Sequence, residues 1–403
     1  MKKIIGTVLL AVTGLSLVAA DVTVNINSRV RPNLYTTSKT ESGKKTSELF
    51  NLAGDKASDT VKIAASNAYA GAVLESTWDA GAVAPGVKLD NYYGWMSFGN
   101  LVITAGKYDS RYTARFNSSA TEGGLVDSDI AKYGLSNKIA TGLNGAGTAL
   151  KTVGKTWLYD FDNASAFAGS KDLSLTFAYT LADVAGGKLL LKASLVKNAY
   201  DTYTNSDGDK FTQSAGYVAE AGWNGKGLTF DLIFKNPENK AFGVGLYSTV
   251  KINDNNSAAV GVTYGTKKDE VDTALAIDGR YKFTSGPLAA TLAAKYSYAK
   301  AKGVDAETAL EAGTEVSYMV NDLVTVALDA RLDMCDLDDN DKKDLAENVI
   351  VVSPRAKFTA GKGAAVTVGV EYTQALNSSK DGGASYDPVK TNIAVPVIFR
   401  VKM

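Results

Sequence analysis

After Cys335 the chain places Asp336, Asp338, Asn340, Lys342, Asp344 and Glu347 at relative positions 1, 3, 5, 7, 9 and 12. Oxygen donors at that spacing can wrap a hard cation such as calcium, provided the backbone turns sharply at position six. That position is Asp341 rather than glycine, and neither flank reads as a helix. The plain expectation is an acidic exposed loop; the sharper one is a weak calcium loop built from Asp336, Asp338, Asn340, Asp344 and Glu347. Histidine is absent, which removes the commonest general base, the commonest metal ligand and every Ser-His or Cys-His nucleophile pair. Cys335 stands alone, so it forms no internal disulfide and lacks the companion thiolates of a metal site. No enzyme and no cofactor are expected. Lys+Arg 43 against Asp+Glu 43 gives no net field that would gather nucleic acid or an anionic membrane surface.

The remaining charges lie inside segments that read as strands. Val22, Val24, Ile26, Ser28, Val30 and Leu34 share one parity, while Thr23, Asn25, Asn27, Arg29, Arg31 and Asn33 hold the other. Period two specifies two faces of one strand. The pattern returns at Leu228, Phe230, Leu232 and Phe234; at Ile277, Tyr281 and Phe283 against Asp272, Asp278, Arg280 and Lys282; at Val316, Tyr318 and Val320 against Glu311 and Glu315; and at Val326 and Leu328 against Asp329, Arg331 and Asp333. Arg355, Lys357, Glu371, Arg400 and Lys402 continue the polar parity to the end of the chain.

Lys2 and Lys3 followed by the apolar run Ile4 to Val18 and the small residues Ala19-Ala20 have the form of a cleaved secretory signal over residues 1–20. No later run of about 18 uncharged apolar residues offers a spanning helix. Short turn-like links (Ser66-Asn67, Gly99-Asn100, 224–227, 253–256, 284–287, Asn321-Asp322, 361–363) alternate with polar connections at 38–59, 79–90, 109–171, 202–214, 334–348 and 375–387. A secreted β-sandwich would also alternate. Charged residues in strand interiors and aromatic residues at strand ends instead favour a membrane barrel with two unlike rims. The expected fold is all-β: a transmembrane up-and-down antiparallel β-barrel of 16–18 strands over residues 21–403, with both ends at the short-turn rim and a long loop at 109–171. The count is 18, with 16 the alternative because the hairpins around 60–78 and 92–108 are weakly patterned.

The hairpin Trp95-Met96-Ser97-Phe98-Gly99-Asn100-Leu101-Val102-Ile103-Thr104-Ala105-Gly106-Lys107-Tyr108 resembles one of bacterial outer-membrane porins, where a Phe-Gly turn leads into an alternating strand ending in Gly-Lys and a long loop. The whole mature chain is similar in plan, nearest in flavour to porin-like proteins of spirochaetes. Such barrels usually end in an aromatic residue read by the barrel assembly machinery; here Met403 keeps the parity of Phe399 and Val401. The resemblance implies residence in the bacterial outer membrane among its lipids, trimers, and an inward-folded loop that narrows the pore.

A barrel of 16–18 strands is too wide for side chains to fill. Passive diffusion of small hydrophilic solutes and ions is therefore expected, with Arg29, Arg31, Asp272, Asp278, Arg280, Lys282, Glu311, Glu315, Asp329, Arg331, Arg355 and Lys357 lining the lumen. Opposed charges would impose a transverse field that slows apolar solutes. The 109–171 loop, with Asp109, Arg111, Arg115, Glu122, Asp127 and Asp129, is the expected constriction. The alternative is a non-conducting barrel whose long loops serve as a surface adhesin or structural element.

Overall fold

The computed structural model describes residues 21–40, 42–79, 86–107, 174–196, 202–204, 210–212, 216–236, 241–335, 349–361, 363–376 and 389–403. The signal at 1–20, the expected constriction residues Asp109 to Asp129 and the acidic loop 336–347 lie outside them. The strands are β1 (Asp21–Thr40), β2 (Lys45–Ser66), β3 (Ala70–Asp79), β4 (Gly86–Phe98), β5 (Leu101–Lys107), β6 (Ser174–Val184), β7 (Gly187–Val196), β8 (Thr202–Thr204), β9 (Lys210–Thr212), β10 (Gly216–Gly225), β11 (Leu228–Asn236), β12 (Ala241–Lys251), β13 (Asn256–Lys267), β14 (Val271–Ser285), β15 (Leu288–Ala301), β16 (Glu307–Asn321), β17 (Val324–Cys335), β18 (Val349–Thr359), β19 (Ala364–Gly369), β20 (Glu371–Ala375) and β21 (Val389–Lys402).

Each strand pairs antiparallel with its sequence neighbour, β7 passes directly to β10, and β1 pairs with β21 from Asn27↔Lys402 to Thr40↔Val389. The sheet therefore closes on itself. β8 and β9 form a separate two-stranded ribbon within the connection between β7 and β10. β19 and β20 are halves of one stave: both pair with β18 and with β21 in unbroken register. The barrel thus has 18 staves. The interruption has a chemical cause. Val370 N–H donates to the Pro354 carbonyl at 3.0 Å, but proline has no N–H to return the bond.

The tight links gather at one rim, where local chemistry sets them. Ala185-Gly186 (φ 53° and 75°) and Lys226-Gly227 (φ 52° and 77°) put two successive residues in the left-handed region, the backbone form of the tightest hairpins. Asn67 and Asn321 instead accept two backbone N–H bonds each, from Tyr69 and Ala70 and from Leu323 and Val324, at 2.8–2.9 Å. Both ends of the barrel chain lie at this rim, where Ile26 and Met403 exchange backbone hydrogen bonds.

The opposite rim departs from expectation in three places. Residues 38–59 are not a loop: β1 runs to Thr40 and β2 resumes at Lys45, so the segment is a long hairpin, and residues 45–57 of β2 extend past its pairing with β3. Leu49 and Phe50 on this extension are largely exposed. The connection after β3 is shorter than expected because β4 begins at Gly86, and the 202–214 connection contains the β8–β9 ribbon.

Alternation decides what faces where. Leu175, Phe177 and Tyr179, Phe230 and Phe234, Phe242 and Leu246, Val260 and Tyr264, Tyr296, Val316 and Tyr318 are exposed on the outward parity. Leu232, in the middle of β11, shares that parity between Asp231 and Ile233, both buried inward. Leu232→Arg is expected to cost about 2–4 kcal/mol, the penalty for a charge on the lipid face near the bilayer midplane. Lys357→Gln, on the inner parity near the short-turn rim, is expected to leave stability within about 0.5 kcal/mol. Reversible denaturant unfolding from lipid vesicles would measure both; equal costs would refute the facing of the sheet.

Candidate functional site

The inner wall is graded. On β14 the inward side chains run Ala274 (0% exposed), Ala276, Asp278, then half-exposed Arg280 and exposed Lys282. On β18 they run Val349, Val351 and Ser353, all buried, then Arg355 and exposed Lys357. Lys235 and Ile233 on β11, Glu307 and Glu311 on β16, and Thr373 and Glu371 on β20 repeat the buried part of the sequence near the rim with the longer connections. The inward side chains are therefore more deeply buried toward that rim than toward the short-turn rim. The charges concentrate at the transition.

They are paired along the wall, between neighbouring strands. Lys192 Nζ lies 3.2 Å from Glu220 Oε2, across directly paired residues of β7 and β10. Lys295 Nζ lies 3.9 Å from Glu311 Oε2, again a direct pair. The Arg355 guanidinium bridges Glu315 and Asp329, which are themselves opposite one another on β16 and β17. Lys62 and Glu75 approach to 4.0 Å, with Asn91 donating to the same carboxylate at 3.3 Å. Arg400 donates to Asn27 at 3.2 Å beside the closing seam.

One lateral row is continuous through the paired positions Gly222, Asp231, Tyr247, Gly261, Asp278, Lys295 and Glu311, crossing β10 to β16. Two glycines make it possible. A methyl on Gly261 would come within 2.5 Å of Asp278 Oδ1 and 2.8 Å of the Tyr247 ring, and one on Gly222 would collide with Asp231 Oδ1. Each aspartate thus lies over the bare backbone of the preceding strand.

Of the residues expected from sequence to line the lumen, Asp278, Glu311, Asp329 and Arg331 are buried on the inner parity, with Arg280, Glu315 and Arg355 beside them and Lys282 and Lys357 toward the short-turn rim. Asp272 does not continue the row: it falls in the register shift between Val271 and Thr273 and is exposed. Arg29 pairs through its backbone with Ser58 and Arg400, and Arg31 sits at the register shift between Val30 and Pro32. Lys192 and Glu220 were not anticipated. For Lys192 the signal was masked by Leu189-Leu190-Leu191, which fills both parities with leucine. Among the described residues, no group of three or more His, Cys, Asp or Glu side chains is placed to hold a metal.

No family model and no characterised protein sequence matches the chain. Solved structures do. OccK3 (OpdO) of Pseudomonas aeruginosa superposes with a TM-score of 0.53 at 8% identity, covering 95% of this chain and 96% of that one. A second OpdO structure gives 0.52 at 9% identity, covering 95% and 97%. An anion-selective porin from Comamonas acidovorans gives 0.49 at 10% identity, covering 94% and 100%. The shared feature is the fold: this chain is a closed, all-β, antiparallel 18-stave barrel of the bacterial outer-membrane class.

Removing Arg355 would leave Glu315 and Asp329 facing each other without their shared cation. Arg355→Ala is expected to cost about 3–5 kcal/mol, the usual penalty for orphaning buried charge. Adding Glu315→Gln and Asp329→Asn to the same chain should recover most of it in denaturant unfolding. A triple variant as unstable as the single one would show that the arginine stem, not its charge, holds this wall.

Proposed function

We propose that this protein is exported with loss of residues 1–20, inserted by the barrel assembly machinery into the bacterial outer membrane, and acts there, assembled as a homotrimer, as a passive, non-enzymatic channel for small hydrophilic solutes. The observation that carries the reading is the closed 18-stave barrel, apolar outside, whose inner wall is lined by charges. A barrel of this size holds water, and a charged wall holds it wet.

The inner charges, Asp278, Arg280, Lys282, Glu311, Glu315, Asp329, Arg331, Arg355 and Lys357 with Arg29 and Arg31 on the first strand, are in this reading the pore lining. Because the charge pairs run laterally between neighbouring strands, the paired charges are largely neutralised within the wall. The transverse field is then weaker than opposed banks of charge would give, and selectivity among ions modest. The constriction is assigned to the 109–171 connection through Asp109, Arg111, Arg115, Glu122, Asp127 and Asp129, and the 336–347 loop remains a weak calcium candidate.

The deciding measurement is single-channel conductance of the purified protein in a planar bilayer. Replacing 109–171 by a tight turn should raise conductance. Arg111→Glu with Arg115→Glu should move the reversal potential in a salt gradient toward cations, by an amount that shrinks as the Debye length falls from about 10 Å at 0.1 M salt to about 3 Å at 1 M. No conductance in the intact protein would transfer the reading to the adhesin or structural alternative, which the projecting β1–β2 hairpin with its exposed Leu49 and Phe50 favours.

A further inference from the structure

The outward face of the closing seam changes character along its length. On β21 Val401, Phe399, Val397, Val395 and Ile393 share the outward parity, with Phe399 and Ile393 exposed. From Val401 to Ile393 the strand advances about 27 Å, or about 20 Å along the membrane normal at a tilt of about 35–45°, close to the apolar band of about 25 Å on an outer-membrane barrel. Ile393 therefore marks the top of the hydrocarbon at the seam. Its row is rich in hydroxyl groups, because Ile393 is paired with Thr37 and with Tyr372, and Thr37 with Ser47. Ser47 Oγ donates to Thr37 Oγ1 at 3.0 Å, and Tyr35 Oη and Ser47 Oγ share a hydrogen bond at 3.3 Å.

One row further, about 7 Å along the strand, Lys39 is paired with Thr391 on one side and with Lys45 on the other. Both lysines are exposed, and among the described residues neither has an ion-pair partner. Glu48, three residues on, is paired with Thr36 and so falls on the opposite parity. Like charges set directly opposite one another destabilise a strand pair. This repulsion sits at the height of lipid head groups, since the polar layer of a leaflet adds only about 5–8 Å to the hydrocarbon. Along the seam, an apolar belt gives way to hydroxyls and then to two uncompensated cations.

We propose that Lys39 and Lys45 bind the phosphate of an anionic lipid in the outer leaflet, whose acyl chains lie along the outward wall of the seam. Directly paired side chains stand about 5 Å apart at Cβ, and the flexible lysine stem carries a compact charge with three donors, so both ammonium groups can converge on one phosphate. The hydroxyls of Ser47 and Thr37 lie between that phosphate and the hydrocarbon, at the depth of the ester linkages. The apolar belt directly beneath singles out a lipid rather than a free phosphate ion. Binding would also relieve the repulsion between β1 and β2 at the far end of the seam. The proposal rests on residence in the outer membrane and does not depend on whether the barrel conducts.

The test uses the intact protein refolded at low salt into phosphatidylcholine vesicles in which a graded share of the lipid is phosphatidylglycerol. The thermal midpoint of unfolding, read from the heat-dependent shift of the electrophoretic band, should rise saturably with that share. A lysine near an anionic surface contributes about five-fold in affinity, the equivalent of about 1 kcal/mol. Lys39→Gln with Lys45→Gln should therefore raise the half-saturating share at least about ten-fold or abolish the rise. Lys188→Gln with Lys226→Gln removes the same charge from exposed lysines at the short-turn rim and should leave the rise in place. Should the first double variant fail to fold, Lys45→Gln alone decides, with a several-fold shift. Inorganic phosphate added to pure phosphatidylcholine vesicles should not reproduce the effect. No rise with phosphatidylglycerol, half-saturation unmoved by Lys39→Gln with Lys45→Gln or by Lys45→Gln alone, equal losses in the two double variants, or an equal rise with inorganic phosphate would each overturn the proposal.

Discussion

Everything in this molecule answers to one constraint: inside hydrocarbon there is no water to bond a stray N–H or C=O, so each backbone group must find its partner within the protein. For strands, the only complete solution is closure, and the seam between β1 and β21 supplies it. The constraint also explains the break between β19 and β20. At Pro354 the ladder is short of a donor, and the opposing stave divides into β19 and β20 at that point. Register on either side is unchanged because the flanking pairs, Arg355↔Gly369 and Val352↔Tyr372, hold it.

Closure divides every strand into an outside and an inside, and this division was the most legible property of the sequence. Alternation through 272–283, 311–320 and 324–333 puts Asp278, Glu311, Asp329 and Arg331 on the parity opposite the exposed apolar residues, and the strands bury them there, because period two depends on the strand alone. What the sequence could not disclose was which inner residue meets which. Lys192 reaching Glu220, or Arg355 reaching both Glu315 and Asp329, depends on register between strands and so on turn lengths and bulges. A bulge likewise took Asp272 out of its row. The hairpin at 38–59 was hidden for a related reason: its polar composition reads as a loop, and only pairing with β1 makes it a strand.

The interior is unusual less for the number of its charges than for their arrangement. Asp231 and Asp278 lie over glycines on the preceding strand, at Gly222 and Gly261, and the ion pairs run sideways between neighbouring strands. Bare backbone beneath a carboxylate also brings peptide dipoles close to it, partial replacement for the water lost on burial. A wall neutralised in this way is polar at short range and nearly featureless at the distance of a passing solute.

Closure has a consequence in time as well as in space. The seam joins residues near opposite ends of the chain, with Arg400 bonded to Asn27 at a separation of 373 residues. Contacts so remote in sequence form late, since a long loop must be closed before they repay its entropy. Until β21 arrives, β1 presents an unpaired edge, the kind of surface on which strands of other chains add. The last stave therefore acts as a latch: the barrel becomes resistant to aggregation only when its final residues are in place, and any truncation at the carboxyl end leaves the first strand as sticky as it was at the start.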